Sequence, residues 1–216
     1  MTKVYVVRHP EAQGNVERFF QGSTNCDVTE LGKKQLEFLS ERFKSIHLDS
    51  IYSSPLIRAY KTAEAINKYH NLKIIKDKNI AEIDGGDLEG MHYKDIYTSL
   101  PEIYDMWENK PYLFEFKNAE SMRHFHKRVV NEIISIAKKN KDKTAAVATH
   151  GCAIRSIVCF ANGLDITDLK KIDYSPNTGV SLIEFNDDFK PDLKYTADIT
   201  HLPKEYVSTF KVGTYK

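Results

Sequence analysis

Short apolar runs and longer periodic stretches alternate along this chain. The run VYVV at 4–7 is apolar throughout and rich in β-branched residues, which suits a strand covered on both faces, as in a parallel sheet. DVTELGKKQLEFLSERF reads as a helix, with Thr29 as N-cap and Leu31, Leu36, Leu39 and Phe43 as an approximate apolar stripe. Ile51-Tyr52 ends a short strand. Ser54-Pro55 then supplies an N-cap and a proline at the first helical position for the helix LIRAYKTAEAINKY. LKIIK is a further short strand, and a helix covers 119–139. TAAVAT at 144–149 is a buried strand, and GCAIRSIVCFANG is a helix ending at Gly163. GVSLIEF and a segment near 191–197 read as closing strands, and the tail from about 203 has no clear pattern.

Residues 84–117 break this rhythm. They hold Gly85, Gly86, Gly90, Pro101 and Pro111 and many aromatics, among them Tyr93, Trp107, Phe114 and Phe116. The segment reads as an insertion with one or two helices, inside a single domain spanning 1–216. Strands alternating with helices predict an α/β fold, a three-layer sandwich with a mostly parallel central sheet.

Composition narrows the function classes. Lys and Arg number 31 against 30 Asp and Glu, a net charge of +1, so no global field would draw in nucleic acid or an anionic membrane. Any anion site must therefore be local. No apolar run is long enough to span a bilayer, and MTKVYVV lacks the features of a signal peptide, so a cytoplasmic location is expected. The three cysteines, Cys26, Cys152 and Cys159, form no CxxC pair, which fits a reducing compartment. Cys152 and Cys159 are expected to pack as small hydrophobes on one helix. No cluster has metal-ligand spacing, and neither a metal nor a cofactor is called for. Oligomeric state is not legible.

The chemistry gathers at strand ends. In an open α/β sheet, ligands bind beyond the carboxyl ends of the strands. The first strand delivers Arg8-His9, the second SSP with Arg58 soon after, and TAAVAT delivers His150-Gly151. Helix starts at the same edge would add N–H groups and positive dipole ends. Two arginines and two histidines meeting there would form a pocket for a tetrahedral anion. Arg123-His124 is a chance repeat of the first pair: it follows no strand, and its helical segment reads as a solvated face. Arg155, on the helix after His150, reads as structural.

The ordered motifs resemble the histidine phosphatase superfamily, in its phosphoglycerate-mutase-like branch. The family's RHGETxxN stands here as RHPEAQGN, with Arg8, His9, Glu11 and Asn15 matching, Pro10 for glycine and Ala12 for threonine. Gln21-Gly22 and VTELG follow, then SSPLIRAYKTA at 53–63, EIDGGDLEG at 82–90, AES at 119–121 and THGC at 149–152.

The resemblance implies a phosphoglycerate-mutase-like fold and a phosphatase acting on small-molecule phosphate esters. It implies His9 as a nucleophile that becomes phosphohistidine. Arg8, Arg58 and His150 would surround the phosphoryl oxygens, and Glu82 would be the proton donor and later the base. Asn15, Gln21, Gly22 and Gly151 would contact phosphate or substrate. Asn15 and Gln21 could equally serve as turn formers, and Glu82 as a surface carboxylate. His92 and Tyr93 are placed near the pocket by sequence proximity alone. The short segment after Glu82 favours a small phosphatase over the alternative, a cofactor-dependent phosphoglycerate mutase. A non-catalytic phosphometabolite-binding protein, its site degraded at Pro10 and Ala12, is a third reading. The aromatics at 93–116 could wall a bulky substrate or simply form a mini-core. Pro10 offers no N–H and favours an extended His9. The expectation is that the loop already suits proline.

Overall fold

The structure is a computed structural model describing residues 1–208. β1 (Thr2–Arg8) lies near the middle of a six-stranded sheet. It pairs in parallel with β4 (Thr144–Thr149), which pairs in parallel with β2 (Ser50–Ser53), and β2 with the edge strand β3 (Ile74–Lys76). On its other side β1 pairs antiparallel with β5 (Val180–Phe185), and β5 with β6 (Pro191–Asp198). The sheet is thus mostly parallel in its chemistry-bearing half, as expected.

Alternation along the strands divides the core. Val4 and Val6 of β1, with Ala145 and Val147 of β4, face α6 (Met122–Lys139) and α7 (Gly151–Ala161). Val7, Ala146 and Ala148 face α2 (Glu30–Phe43) and α3 (Ile57–Asn67) on the opposite side. With both faces covered, the central strands carry consecutive apolar runs, 4–7 in β1 and 145–148 in β4. Cys152 and Cys159 are buried on α7, in the packing role expected of them. Gly163 closes that helix at φ +68°.

The insertion forms α4 (Tyr93–Ser99) and α5 (Pro101–Asn109), flanked by short 3₁₀ turns. The aromatics build a mini-core. Trp107 meets both Phe20 and Phe114 edge-on at 4.9 Å, with Leu88 and Ile96 also buried there. Past residue 203 a single 3₁₀ turn forms at Lys204–Tyr206, and residues 209–216 of the tail lie outside the described residues.

Two helices depart from expectation, one at its start and one in its buried face. α3 begins at Ile57, so Pro55 is not its first residue and Ser54 is not its cap; Leu56 occupies the cap position without a side-chain bond. Ser54 is engaged elsewhere, by the Leu56 N–H at 3.3 Å and by His150. α2 is capped by Thr29, whose hydroxyl accepts the Gly32 N–H at 3.0 Å, but its buried face is Gly32, Gln35, Leu39, Ser40 and Phe43. Leu31 and Leu36 flank it. Gly32 and Gln35 turn inward because the loop after β1 packs on them. Gln35 Oε1 accepts the Glu11 N–H at 2.8 Å, and a Cβ at Gly32 would run into the Glu11 carbonyl. Gly32→Ala should therefore displace the loop after His9 and destabilise the fold by about 1–3 kcal/mol, the usual toll of overpacking. A urea melt reads the stability loss, and an unchanged midpoint would contradict this close approach.

Candidate active site

The edge predicted from strand ends is where the polar groups meet. Arg8, His9, Asn15, Gln21, Gly22, Glu82 and Gly151 line one cleft. Arg58 and His150 sit behind its wall, each 0% exposed. The His9 and His150 rings are 5.3 Å apart between centroids.

His9 is fixed from all sides. Its N–H donates to the Thr149 carbonyl of β4 at 2.9 Å, and its carbonyl accepts from the Thr178 N–H and from Asn177 Nδ2. Its ring Nδ1 lies 2.7 Å from the Pro10 carbonyl, so Nδ1 must carry the proton and Nε2 is left with its lone pair. Pro10 thus supplies an acceptor where its missing N–H had raised a doubt. Burial pushes the His9 pKa well below 6.5, and the Arg58 and Arg8 charges add to the effect. His150 is held down by the same causes. Its Nε2 lies 2.7 Å from Ser54 Oγ, and its Nδ1 has no partner.

The arginines are held by backbone carbonyls. Arg58 donates to the carbonyls of Thr24 at 2.7 Å, Gly22 at 2.9 Å and Gln21 at 3.0 Å. Arg8 Nη1 donates to the Ser175 carbonyl. No carboxylate within the described residues forms an ion pair with either, and the Nε of each is buried without a partner. A buried unpaired donor costs about 1–3 kcal/mol. Three at one place, with His150 Nδ1, mark a site shaped for an acceptor-rich group.

Glu82 is not a surface carboxylate. Its oxygens accept the Cys152 N–H at 3.0 Å and its neighbour Ile83's N–H at 3.1 Å. Burial nevertheless raises its pKa above 4.5, against the lowering pull of those two N–H groups, Arg58 and Arg8. The thiol of Cys152 is also pushed up, chiefly by burial and then by Glu82.

The remaining expected residues divide. Gly22 packs too closely on the Ile83 carbonyl for any side chain, so its backbone oxygen can reach Arg58. Gln21 presents a buried, unpartnered Oε1. Asn15 lines the cleft, but its Oδ1 is occupied by the Ala12 N–H at 3.0 Å and caps the short α1 (Gln13–Glu17). Tyr93 lines the cleft and His92 is not among its walls. The helix-start N–H groups expected to face the anion are partly consumed. The Cys152 N–H goes to Glu82 and the Ile57 N–H to Asn25 Oδ1. His124 lies outside the cleft and pairs with Glu120. Among the described residues no group of three or more His, Cys, Asp or Glu is placed to hold a metal ion, and no helix is long and apolar enough to cross a membrane.

Sequence reasoning missed the loop before β5. Tyr174 lines the cleft, Ser175 holds Arg8, and Asn177 holds His9. It also missed Glu89, which accepts the N–H groups of Ser23, Thr24 and Gly85 and so ties the loop under Arg58 to the one after Glu82.

A family model described as "Histidine phosphatase superfamily (branch 1)" matches residues 4–198. "Phosphoserine phosphatase 1" of Hydrogenobacter thermophilus is 33% identical over 211 residues, covering 98% of this chain and 99% of that protein. The solved structure of Bacillus stearothermophilus YhfR superposes with a TM-score of 0.89 at 27% identity, covering 93% of this chain and 99% of that one. Phosphoserine phosphatase from Entamoeba histolytica, solved with 3-phosphoglyceric acid, gives 0.82 at 25% identity, over 94% of this chain and all of that one.

Proposed function

The chain belongs to the histidine phosphatase superfamily (branch 1), and from that membership we propose how its cleft hydrolyses small phosphate monoesters. The observation that carries the proposal is the Nδ1 hydrogen bond from His9 to the Pro10 carbonyl, which leaves Nε2 as a buried, neutral nucleophile.

Nε2 attacks phosphorus and the ester P–O bond breaks, giving phosphohistidine and an alcohol. Glu82, its pKa raised, gives its proton to the departing oxygen. The resulting carboxylate then takes a proton from water as that water attacks phosphorus. The P–N bond breaks, and orthophosphate and the starting enzyme are restored. Arg8, Arg58 and His150 hold the phosphoryl oxygens. The unpartnered Nε atoms and His150 Nδ1 support this role, since Ser54 can donate its hydroxyl proton to Nε2 and keep the His150 proton on Nδ1. Gln21 and Gly151 border the same space, and Asn15 serves chiefly to shape the loop.

The reaction as written needs no metal. Hydrolysis of an aryl phosphate should therefore survive excess EDTA, and loss of turnover on chelation would overturn this reading. Phosphoserine is the first natural ester to assay, because relatives carry that name. Incubation with 3-phosphoglycerate and catalytic 2,3-bisphosphoglycerate tests the mutase alternative: release of orthophosphate is expected, and isomerisation without it would reverse the assignment.

The histidine environments set a pH expectation. Both pKa values are depressed, so both rings stay neutral through pH 6.5, where an ordinary histidine gains its proton. A kcat/KM profile should show no loss from pH 7.5 down through 6.5. A fall centred at 6.5 would mean that the His9 ring is solvated.

A further inference from the structure

We propose that the substrate's leaving group carries an anionic group of its own, which Arg155 receives in a second cleft adjoining the first. The inference rests on the phosphatase reading above. The catalytic cleft has a volume of about 50 Å³, room for roughly three to five waters, which is a phosphoryl group and little more. Beside it opens a cleft of about 650 Å³. The two share Arg8, Trp107 and Tyr174 as walls, so a group attached to the ester oxygen has this space to enter.

Arg155 stands on the wall of the second cleft, on α7 one turn beyond Gly151, and is only 6% exposed. Its Nε donates to the Ile172 carbonyl at 2.8 Å and its Nη2 to the Leu169 carbonyl at 2.9 Å. Its guanidinium stacks 4.3 Å from the Tyr174 ring centre. These contacts fulfil the structural role expected of it, and Tyr174 further favours its charged form, but they leave the charge without an ion pair among the described residues. A guanidinium immobilised in this way has little left to lose in entropy on meeting an anion. Lys170 at the rim has Nζ bonded to Asn109 Oδ1 at 2.9 Å and likewise makes no ion pair there. Glu108 and Asp173 share the cleft with the two cations; burial pushes the Glu108 carboxyl up, so it opposes an incoming anion less than an ordinary carboxylate would. A carboxylate or a second phosphate on the leaving group would pair with the guanidinium equally well.

The test compares kcat/KM for three substrates: an aryl phosphate with a neutral leaving group, phosphoserine or 3-phosphoglycerate for the carboxylate, and a sugar bisphosphate for the second phosphate. The wild type should favour at least one anionic class over the aryl ester. Arg155→Gln should lower that preference about 10- to 100-fold, the worth of one hydrogen bond to a charged group, mainly through KM. Because Arg155 also ties down two carbonyls, Glu108→Gln gives an independent arm: it should shift the preference the opposite way. The anionic class with the larger Arg155 effect identifies the group received. Equal losses on neutral and anionic esters in Arg155→Gln, or no opposite shift in Glu108→Gln, would overturn the inference while leaving the phosphatase reading intact. A wild type that hydrolyses none of the three would remove both.

Discussion

His9→Ala should abolish hydrolysis of every phosphate ester the wild type accepts, with a fall of at least ~10⁴-fold, as expected when a covalent nucleophile is removed. No nearby side chain can take over. The Cys152 thiol is pushed up by burial and stays protonated, and the His150 ring has its Nε2 committed to Ser54. The protein should remain folded. The variant gives up one buried ring and leaves the Pro10 carbonyl unpartnered, a change of about 1–3 kcal/mol, while the backbone bonds of residue 9 to Thr149 and Thr178 persist. The check is a paired measurement: turnover of an aryl phosphate, and a thermal melt on the same preparation. Rapid quench of the wild type should also capture an acid-labile phosphoenzyme that the variant lacks. Equal turnover in the two proteins would end the covalent reading. A wild type that binds phosphate esters tightly but never turns them over would restore the binding-protein alternative.

Glu82→Gln is expected to cost about 10²- to 10⁴-fold, the range for a general acid–base group, and the loss should depend on the leaving group. Glutamine can still face the Cys152 and Ile83 N–H groups through its carbonyl, so the local structure has a route to survive. It cannot donate an acidic proton or take one from water. An alkyl ester, whose leaving oxygen needs that proton, should suffer most. An aryl ester should phosphorylate His9 nearly normally and then stall, so that phosphoenzyme accumulates. The sign of the pH effect follows from the raised pKa. The acid must be protonated to act, so wild-type kcat on alkyl esters should decline as pH rises through that pKa, and the variant should lose this limb. The same deficit for alkyl and aryl esters, with no trapped intermediate, would assign Glu82 a merely structural part.

Much of this site is legible in the chain because strands announce themselves by apolar runs and a charged pair at the end of such a run has one place to go. Arg8-His9 and His150 were found that way, and so was the outer edge where Arg58 lies. What the pattern could not carry was how the groups are held. Arg58 is buried by three carbonyls from residues 21–24, and no residue type marks a carbonyl. Gly32 and Gln35 face inward on α2 although neither counts as apolar, because what they pack against is backbone. Ser54 forfeited its capping position to a histidine ninety-six residues away. The loop holding Tyr174, Ser175 and Asn177 had a signal that sequence reading did not use. β5 runs antiparallel to β1, so the chain must enter β5 at the edge where β1 ends, and SPNTG at 175–179 is the turn through which it enters.

The position of β1 between β4 and β5 also governs when the site comes into being. The proposed nucleophile sits at residue 9, yet the strands that flank its own begin at residues 144 and 180. During synthesis the first strand must wait, apolar and unpaired, until β4 at 144–149 has emerged, and it lacks its second neighbour until β5 follows at 180–185. Contacts of such long sequence separation slow folding, and transiently bare strands invite association with other chains. On the proposed mechanism, the geometry around His9 is complete only once β1 is paired on both sides. A nascent chain halted before residue 175 would contain every proposed catalytic side chain and still lack both β5 and the Ser175–Asn177 turn that contacts Arg8 and His9.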